Sequence, residues 1–297
     1  MKGYIKFLII LSVLTLISAG IYYFIVNSAL VSLSGIFLAF CYMPIPLVSL
    51  LILKFIFKEN IDFGSFISIK KLNIKESLYT LFVFTLWVII IFLLSLILGA
   101  INPEFFGHLI SNNEELLTLL KQMLGEQAPL SANLPPTPLL LVPISYISAV
   151  IAGITINLIF ALGEEIGWRG YLVNEFRSLS FIKKYLLIGL IWGLWHSPII
   201  LQGYNYGVGN GVLGSLIFVA FCMTFSLLFG MIIERNHNAI YAAALHGMFN
   251  GFAGIFVIML INYNPFIGGA IGIVSILSMI ICFGILYILK KKIFKKD

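Results

Sequence analysis

The chain has 297 residues, of which 61% are hydrophobic and only 10% charged. Its mean hydropathy of +1.08 lies well outside the range of water-soluble globular domains and points to a polytopic membrane protein whose constant partner is the lipid bilayer. The formal charge of +6 is dispersed along the chain and forms no nucleic-acid footprint, so no nucleic-acid partner is expected.

Apolar runs near the twenty or so residues that cross hydrocarbon occur at about 7–27, 33–53, 78–100, 139–163, 185–202, 212–233, 239–262 and 267–289. Spanning segments need neighbours, so the expected fold is all-α: one transmembrane domain over 1–297, a bundle of about eight helices. The first run follows Lys2 and Lys6 but is too long for a signal peptide and lacks a small-residue cleavage site, so it is read as a span. In the second, Pro44 and Pro46 remove backbone donors and predict a kink.

Between the third and fourth runs a long connection, about 101–138, carries Glu104, Glu114, Glu115 and Glu126 and ends in the proline-rich stretch Pro129 to Pro138. Within it, Ser111 and Glu114 have capping-box spacing ahead of Leu116, Leu117 and Leu120, which predicts a short amphipathic helix on the outer surface. The segment Gly203 to Gly211 has glycines at 203, 207, 209 and 211, but no strand precedes it, and it reads as a turn rather than a phosphate loop. Cys41, Cys222 and Cys282 lie in apolar runs without metal-ligand spacing and are expected to be buried thiols.

Threading eight helices with the amino terminus in the cytosol places 17 of the 18 Lys and Arg residues on or beside the cytosolic side, Lys121 being the exception. The positive-inside asymmetry therefore predicts a multi-pass cell-membrane protein with both termini cytosolic.

Ionisable groups inside a bilayer are costly and read by default as a functional site. Glu164-Glu165-Ile166-Gly167-Trp168-Arg169 closes the fourth run, His196 lies in the fifth, and His246 and Asn250 lie in the seventh. Residues four apart share a helix face, so Glu165 pairs with Arg169 while Glu164 points elsewhere; His246 and Asn250 address one volume, as do Trp192 and His196. With about 1.5 Å of rise per residue, Glu164 lies about 7–8 Å inward of Arg169, and His196 and His246 about 10–18 Å deep. A cavity open to cytosolic water or to the inner leaflet would reconcile these depths. Such a set can perform hydrolysis: Glu164 as a base toward water, a neutral histidine orienting that water, and the second histidine with asparagine donating to an oxyanion.

On these residues the sequence resembles the CAAX protease and bacteriocin-processing (CPBP/Abi) family of intramembrane endopeptidases. Glu164-Glu165-Ile166-Gly167-Trp168-Arg169 matches its Glu-Glu-x-x-x-Arg motif, Trp192 and His196 its aromatic-plus-histidine motif with Trp where Phe is frequent, and His246 and Asn250 its third motif. The resemblance covers roughly 139–260, the expected catalytic core. It implies that Glu164 and His196 activate the water, that His246 and Asn250 form the oxyanion site, and that Glu165 and Arg169 hold the arrangement. Two histidines and a glutamate could also supply three ligands to a divalent metal such as zinc, but no His-Glu-x-x-His helix is present, and a glutamate-activated water needs the same residues.

The expected function is endoproteolysis of membrane-associated peptides or protein C-terminal tails near the cytosolic face. A non-proteolytic immunity or scaffold protein of the same fold is the alternative. A proton-coupled transporter is disfavoured, because no inverted repeat is evident.

Overall fold

A computed structural model of the chain describes residues 2–125 and 134–294. The acidic Glu126, the start of the proline-rich stretch at Pro129, the tail residues Lys295 and Lys296, and the side chains of Lys291 and Lys292 lie outside the described residues.

The architecture is an all-helical bundle. Its principal helices are α1 (Gly3–Val26), α2 (Val31–Phe55), α3 (Ile74–Ile101), α4 (Asn113–Leu124), α5 (Leu141–Ile154), α6 (Ile156–Glu175), α7 (Phe181–Ile200), α8 (Gly211–Asn236), α9 (Ala239–Met259) and α10 (Ile273–Phe294). Six of these, α1, α2, α3, α8, α9 and α10, are long and apolar enough to cross a membrane, and α5 and α6 reach that length and apolarity only as a pair, bent at the break between them. The remaining expected span corresponds to α7, which has 20 residues but also carries Lys183, Lys184, His196 and Pro198 and is not among these six. Apolar side chains cover much of the outer surface, among them Leu16, Phe24, Leu93 and Ile159, as a lipid-facing exterior requires.

In place of the expected kink, α2 has a widened turn over Leu38–Tyr42, where the amide of Met43 reaches back to the carbonyl of Leu38. The helix restarts at Ile45, with Pro44 and Pro46 at positions where a helix needs no backbone donor.

A second interruption was not expected. The run read as one helix over 139–163 breaks at Thr155, and its two halves meet at 58°. The amide of Thr155 turns to the carbonyl of Ala152, its Oγ1 donates to the carbonyl of Ile151, and Asn157 Nδ2 donates to the carbonyl of Gly247 on α9. At Gly153 an added Cβ would lie 2.5 Å from the Met248 backbone nitrogen, so glycine is required for α5 to approach α9 so closely.

The same device joins α7 to α8, the most extensively packed pair. A Cβ on Gly189 would sit 2.5 Å from Met223 Cα, and one on Gly193 2.6 Å from Val219 Cα. Between these helices Gly203, Gly207 and Gly209 take φ of +101°, +82° and +88°, which confirms the turn.

The amphipathic helix forms as α4, but its cap is one residue later than the spacing suggested. Asn112 Oδ1 accepts from the amides of Glu114 and Glu115 at 3.0 Å, and Glu115 Oε2 accepts from the amide of Ser111 at 2.9 Å. Asparagine and serine are about equally good N-caps, and here Asn112 holds the extended capping conformation and makes both bonds. Leu116 is buried as α4 packs on the end of α9, and next to it His108–Leu109 pairs antiparallel with Leu260–Ile261. Cys222 and Cys282 are buried, but Cys41 is exposed. An apolar span turns one face to lipid, so an apolar run does not imply burial in protein.

Candidate active site

The site begins where α6 widens. Its regular turns end at Glu165, and a looser turn over Ile166–Leu172 follows in which all seven residues are buried. Widened turns of this kind often occur at functional positions. Gly163, Gly167 and Gly170 face Pro44, Pro46 and Phe66, so α6 lies close against α2 and the short turn Phe63–Phe66. This contact fixes the height of both glutamates.

The two carboxylates are separated as their 100° offset requires. Glu165 Oε1 accepts from Arg169 Nη1 at 3.0 Å and from His246 Nδ1 at 2.9 Å, with both the arginine and the glutamate side chains fully buried. Arg169 Nη2 donates to Ser226 Oγ on α8 at 2.9 Å, and its guanidinium lies 3.9 Å from the Phe229 ring centre and 4.5 Å from that of Trp192. Glu164 makes different bonds. Its Oε2 accepts from Trp192 Nε1 at 2.8 Å and from Trp168 Nε1 at 3.4 Å, while Oε1 has no partner among the described residues.

These partners determine what the histidines present. Glu165, held by Arg169, is an ionised acceptor, so His246 Nδ1 carries the proton between them and its Nε2 is left for the cavity. His196 Nδ1 faces the backbone carbonyl of Trp192 at 3.0 Å; a carbonyl only accepts, so this ring is likewise protonated at Nδ1. Each ring thus has Nδ1 committed to a protein acceptor and Nε2 left for the cavity. Asn250 is exposed, and its side chain makes no hydrogen bond to the described residues.

Glu164, His196, His246 and Asn250, from three helices, line one cavity of about 450 Å³. Its walls are largely aromatic, with Trp192, Trp195, Phe218, Phe221, Phe225 and Phe249 among them. Glu165 and Arg169 lie behind Glu164 and His246 and do not line it. From Glu164 and the histidines the cavity extends away from Arg169, as far as Asn205 and the segment Tyr263 to Ile271. No group of three or more His, Cys, Asp or Glu side chains among the described residues is arranged to hold a metal ion. The glutamate and two histidines therefore do not fit the zinc set considered from sequence.

Sequence reasoning missed three contributors. Trp168 is four residues after Glu164, a spacing that could have placed its indole over the carboxylate. Ser226 and Tyr42 had no such signal: Ser226 receives Arg169 from a helix with no motif, and Tyr42 lines the cavity while donating to the carbonyl of Trp195 at 2.6 Å.

Residues 146–252, which contain all three motifs, match the family described as Rce1-like, type II CAAX prenyl endopeptidase. This is the family to which the motifs pointed. The protein named CAAX prenyl protease 2 of Methanococcus maripaludis is 31% identical over 98 residues, which are 31% of this chain and 36% of the archaeal protein. The similarity thus spans about a third of the relative's length.

Proposed function

We propose that the chain is an intramembrane endopeptidase acting on membrane-associated peptides or protein tails, with Glu164 as the base that activates water. The observation that carries this reading is the meeting of Glu164, His196, His246 and Asn250 in one cavity. The likeness to a CAAX prenyl protease supports the reaction class. Prenylation of this chain's own substrate is a separate question for the experiment below.

In the proposed reaction, water enters between Glu164 and His196. Glu164 takes one proton, His196 Nε2 accepts a hydrogen bond from the other, and the water oxygen adds to the carbonyl carbon of the scissile peptide. The oxyanion is met by Asn250 Nδ2 and by His246 Nε2. His246 donates from Nε2 only when doubly protonated, and Glu165 is then the counter-ion to its Nδ1–H. The C–N bond breaks as the proton held by Glu164 passes to the leaving amine, which yields an acid and an amine.

The positive-inside asymmetry supports placing the Arg169 end in the cytosol, with both termini on that side. The bond would then be cut about 7–8 Å inward of Arg169 at 1.5 Å of rise per residue.

The test is mass spectrometry of membrane peptides from cells carrying either the intact chain or the Glu164→Gln form. The expected result is a set of cleavage products, present only with the intact chain, whose termini show whether a prenylated tail has been removed. An unchanged peptide profile at equal expression would favour the immunity or scaffold reading.

A further inference from the structure

We infer that a second hollow, at the basic end of the bundle, is a binding site for a phosphate group. The inference rests on the hollow's own side chains and is independent of the proposed peptidase function.

The hollow has a volume of about 270 Å³ and shares no wall residue with the active-site cavity. It is built where several segments meet. Arg169, Val173 and Arg177 follow one another every four residues down the end of α6 and the turn after it, so they lie on one side of it. Lys184 comes from the first turns of α7, and Ile233 and His237 from the end of α8. Phe66, of the turn Phe63–Phe66, closes a further side; a Cβ on Gly170 would sit 2.8 Å from it, so α6 and this turn are in close contact. No carboxylate among the described residues lines the hollow.

Two of the three permanent cations in the lining are already neutralised. Arg169 donates to Glu165 at 3.0 Å, and Lys184 Nζ donates to Glu234 Oε1 at 2.6 Å. Arg177 is exposed and has no ion-pair partner among the described residues. One positive charge is therefore uncompensated, which matches the single negative charge of a phosphate diester. The donors are also in place. The Arg177 guanidinium presents its N–H groups as a fork that suits phosphate oxygens two at a time. Lys184 has given one of its three N–H groups to Glu234. Asn174 and His237 line the same hollow, and their side chains make no hydrogen bond to the described residues. Donors arriving from α6, α7 and α8 suit a tetrahedral anion better than a planar carboxylate.

A phosphate group of this kind has two sources, a lipid headgroup and free phosphate. Phe66, Val173 and Ile233 make part of the wall apolar, which suits a phosphate carried on a glycerol backbone. Basic pockets at the ends of membrane helices are a recurrent setting for anionic headgroups. The exposed Lys70, Lys71 and Lys75 lie at the same end, on a segment bonded to Asn238 and Arg235 beside the end of α8, and add to the attraction for anions. Arg169 joins the hollow to the candidate active site, since it lines the one and bonds Glu165 in the other.

Titration calorimetry of the full-length protein in an uncharged maltoside detergent tests the proposal, with short-chain phosphatidylglycerol and inorganic phosphate as separate ligands. The intact chain is expected to bind at least one of them saturably. Arg177→Gln is expected to weaken that binding at least about tenfold, the loss of a hydrogen-bonded charge. Asn174→Asp, which sets a negative charge in the wall, is expected to abolish it. Both residues are exposed, so both variants are expected to melt without ligand as the intact chain does. Lys70→Gln, at the same end but outside the lining, should bind like the intact chain. Tighter binding of phosphatidylglycerol than of phosphate assigns the site to a lipid headgroup, and equal or tighter binding of phosphate assigns it to the free anion. Absence of saturable binding by either ligand, intact-like binding by Arg177→Gln or Asn174→Asp, or equal weakening by Lys70→Gln would each overturn the site. None of these measurements requires cleavage, so failure here leaves the peptidase reading standing.

Discussion

His246 Nδ1 and Arg169 Nη1 meet on the same oxygen of Glu165, at 2.9 and 3.0 Å. The second carboxylate of the motif thereby joins α6 to α9 and holds the imidazole with Nε2 toward the cavity. Glu165 acts through His246 and is a positioning residue in the proposed reaction.

Its removal should be more damaging than its lack of cavity contact suggests. Glu165→Ala leaves the buried Arg169 without its counter-ion, a loss of about 3–5 kcal/mol for a broken buried pair. The expected outcome is a large fall in thermal stability in detergent together with loss of cleavage. Glu165→Gln, which can still accept from His246, should retain more stability than Glu165→Ala. Equal melting temperatures for the two variants would contradict the counter-ion role.

The contrasting case is the Arg235–Glu76 contact, a two-pronged pair at 2.7 and 3.0 Å joining the end of α8 to the start of α3. Both partners retain solvent exposure, so the pair is worth at most about 1 kcal/mol. Arg235→Gln should leave cleavage intact and lower the melting temperature far less than Arg169→Gln does.

Trp192 gives a test of the bonds to Glu164. Trp192→Phe keeps an aromatic ring beside Arg169 but removes the 2.8 Å donor. Losing one hydrogen bond to a charged group costs about 1.5–3 kcal/mol, which corresponds to about a 10- to 150-fold fall in kcat/KM if the bond is fully used in the transition state. Kinetics on a cleavable peptide should show that fall with folding preserved; an unchanged kcat/KM would mean that the indole serves packing alone.

The contact between α7 and α8 is expected to be sensitive to single methyl groups. Gly193→Ala places a Cβ 2.6 Å from Val219 Cα, against backbone that cannot rotate away. Overpacking of this kind costs about 1–3 kcal/mol. Because His196 is on α7, the displacement should also reduce cleavage. Gly20→Ala, where no atom lies within 4 Å of the added Cβ, is the matched control and should do neither.

Much of this architecture was legible in the chain because a bilayer imposes local rules. Hydrocarbon thickness dictates run length, desolvation cost marks Glu164, His196 and His246 as exceptional, and the distribution of Lys and Arg around the runs is a property of sequence alone. The 3.6-residue period also separated the Glu165–Arg169 pair from Glu164 without coordinates.

What the tertiary structure decided depends on how helices rotate and cross, which no single run encodes. The break at Thr155 follows from packing against Gly247 and Met248, nearly a hundred residues away in sequence. His246 looked free to act with Asn250, yet one of its nitrogens is committed to Glu165 because α6 passes beside α9. The extent of the cavity was likewise hidden: depth along a helix is a sum of residue rises, but which space stays filled depends on which side chains of neighbouring helices meet, here Arg169 with Trp192 and Phe229.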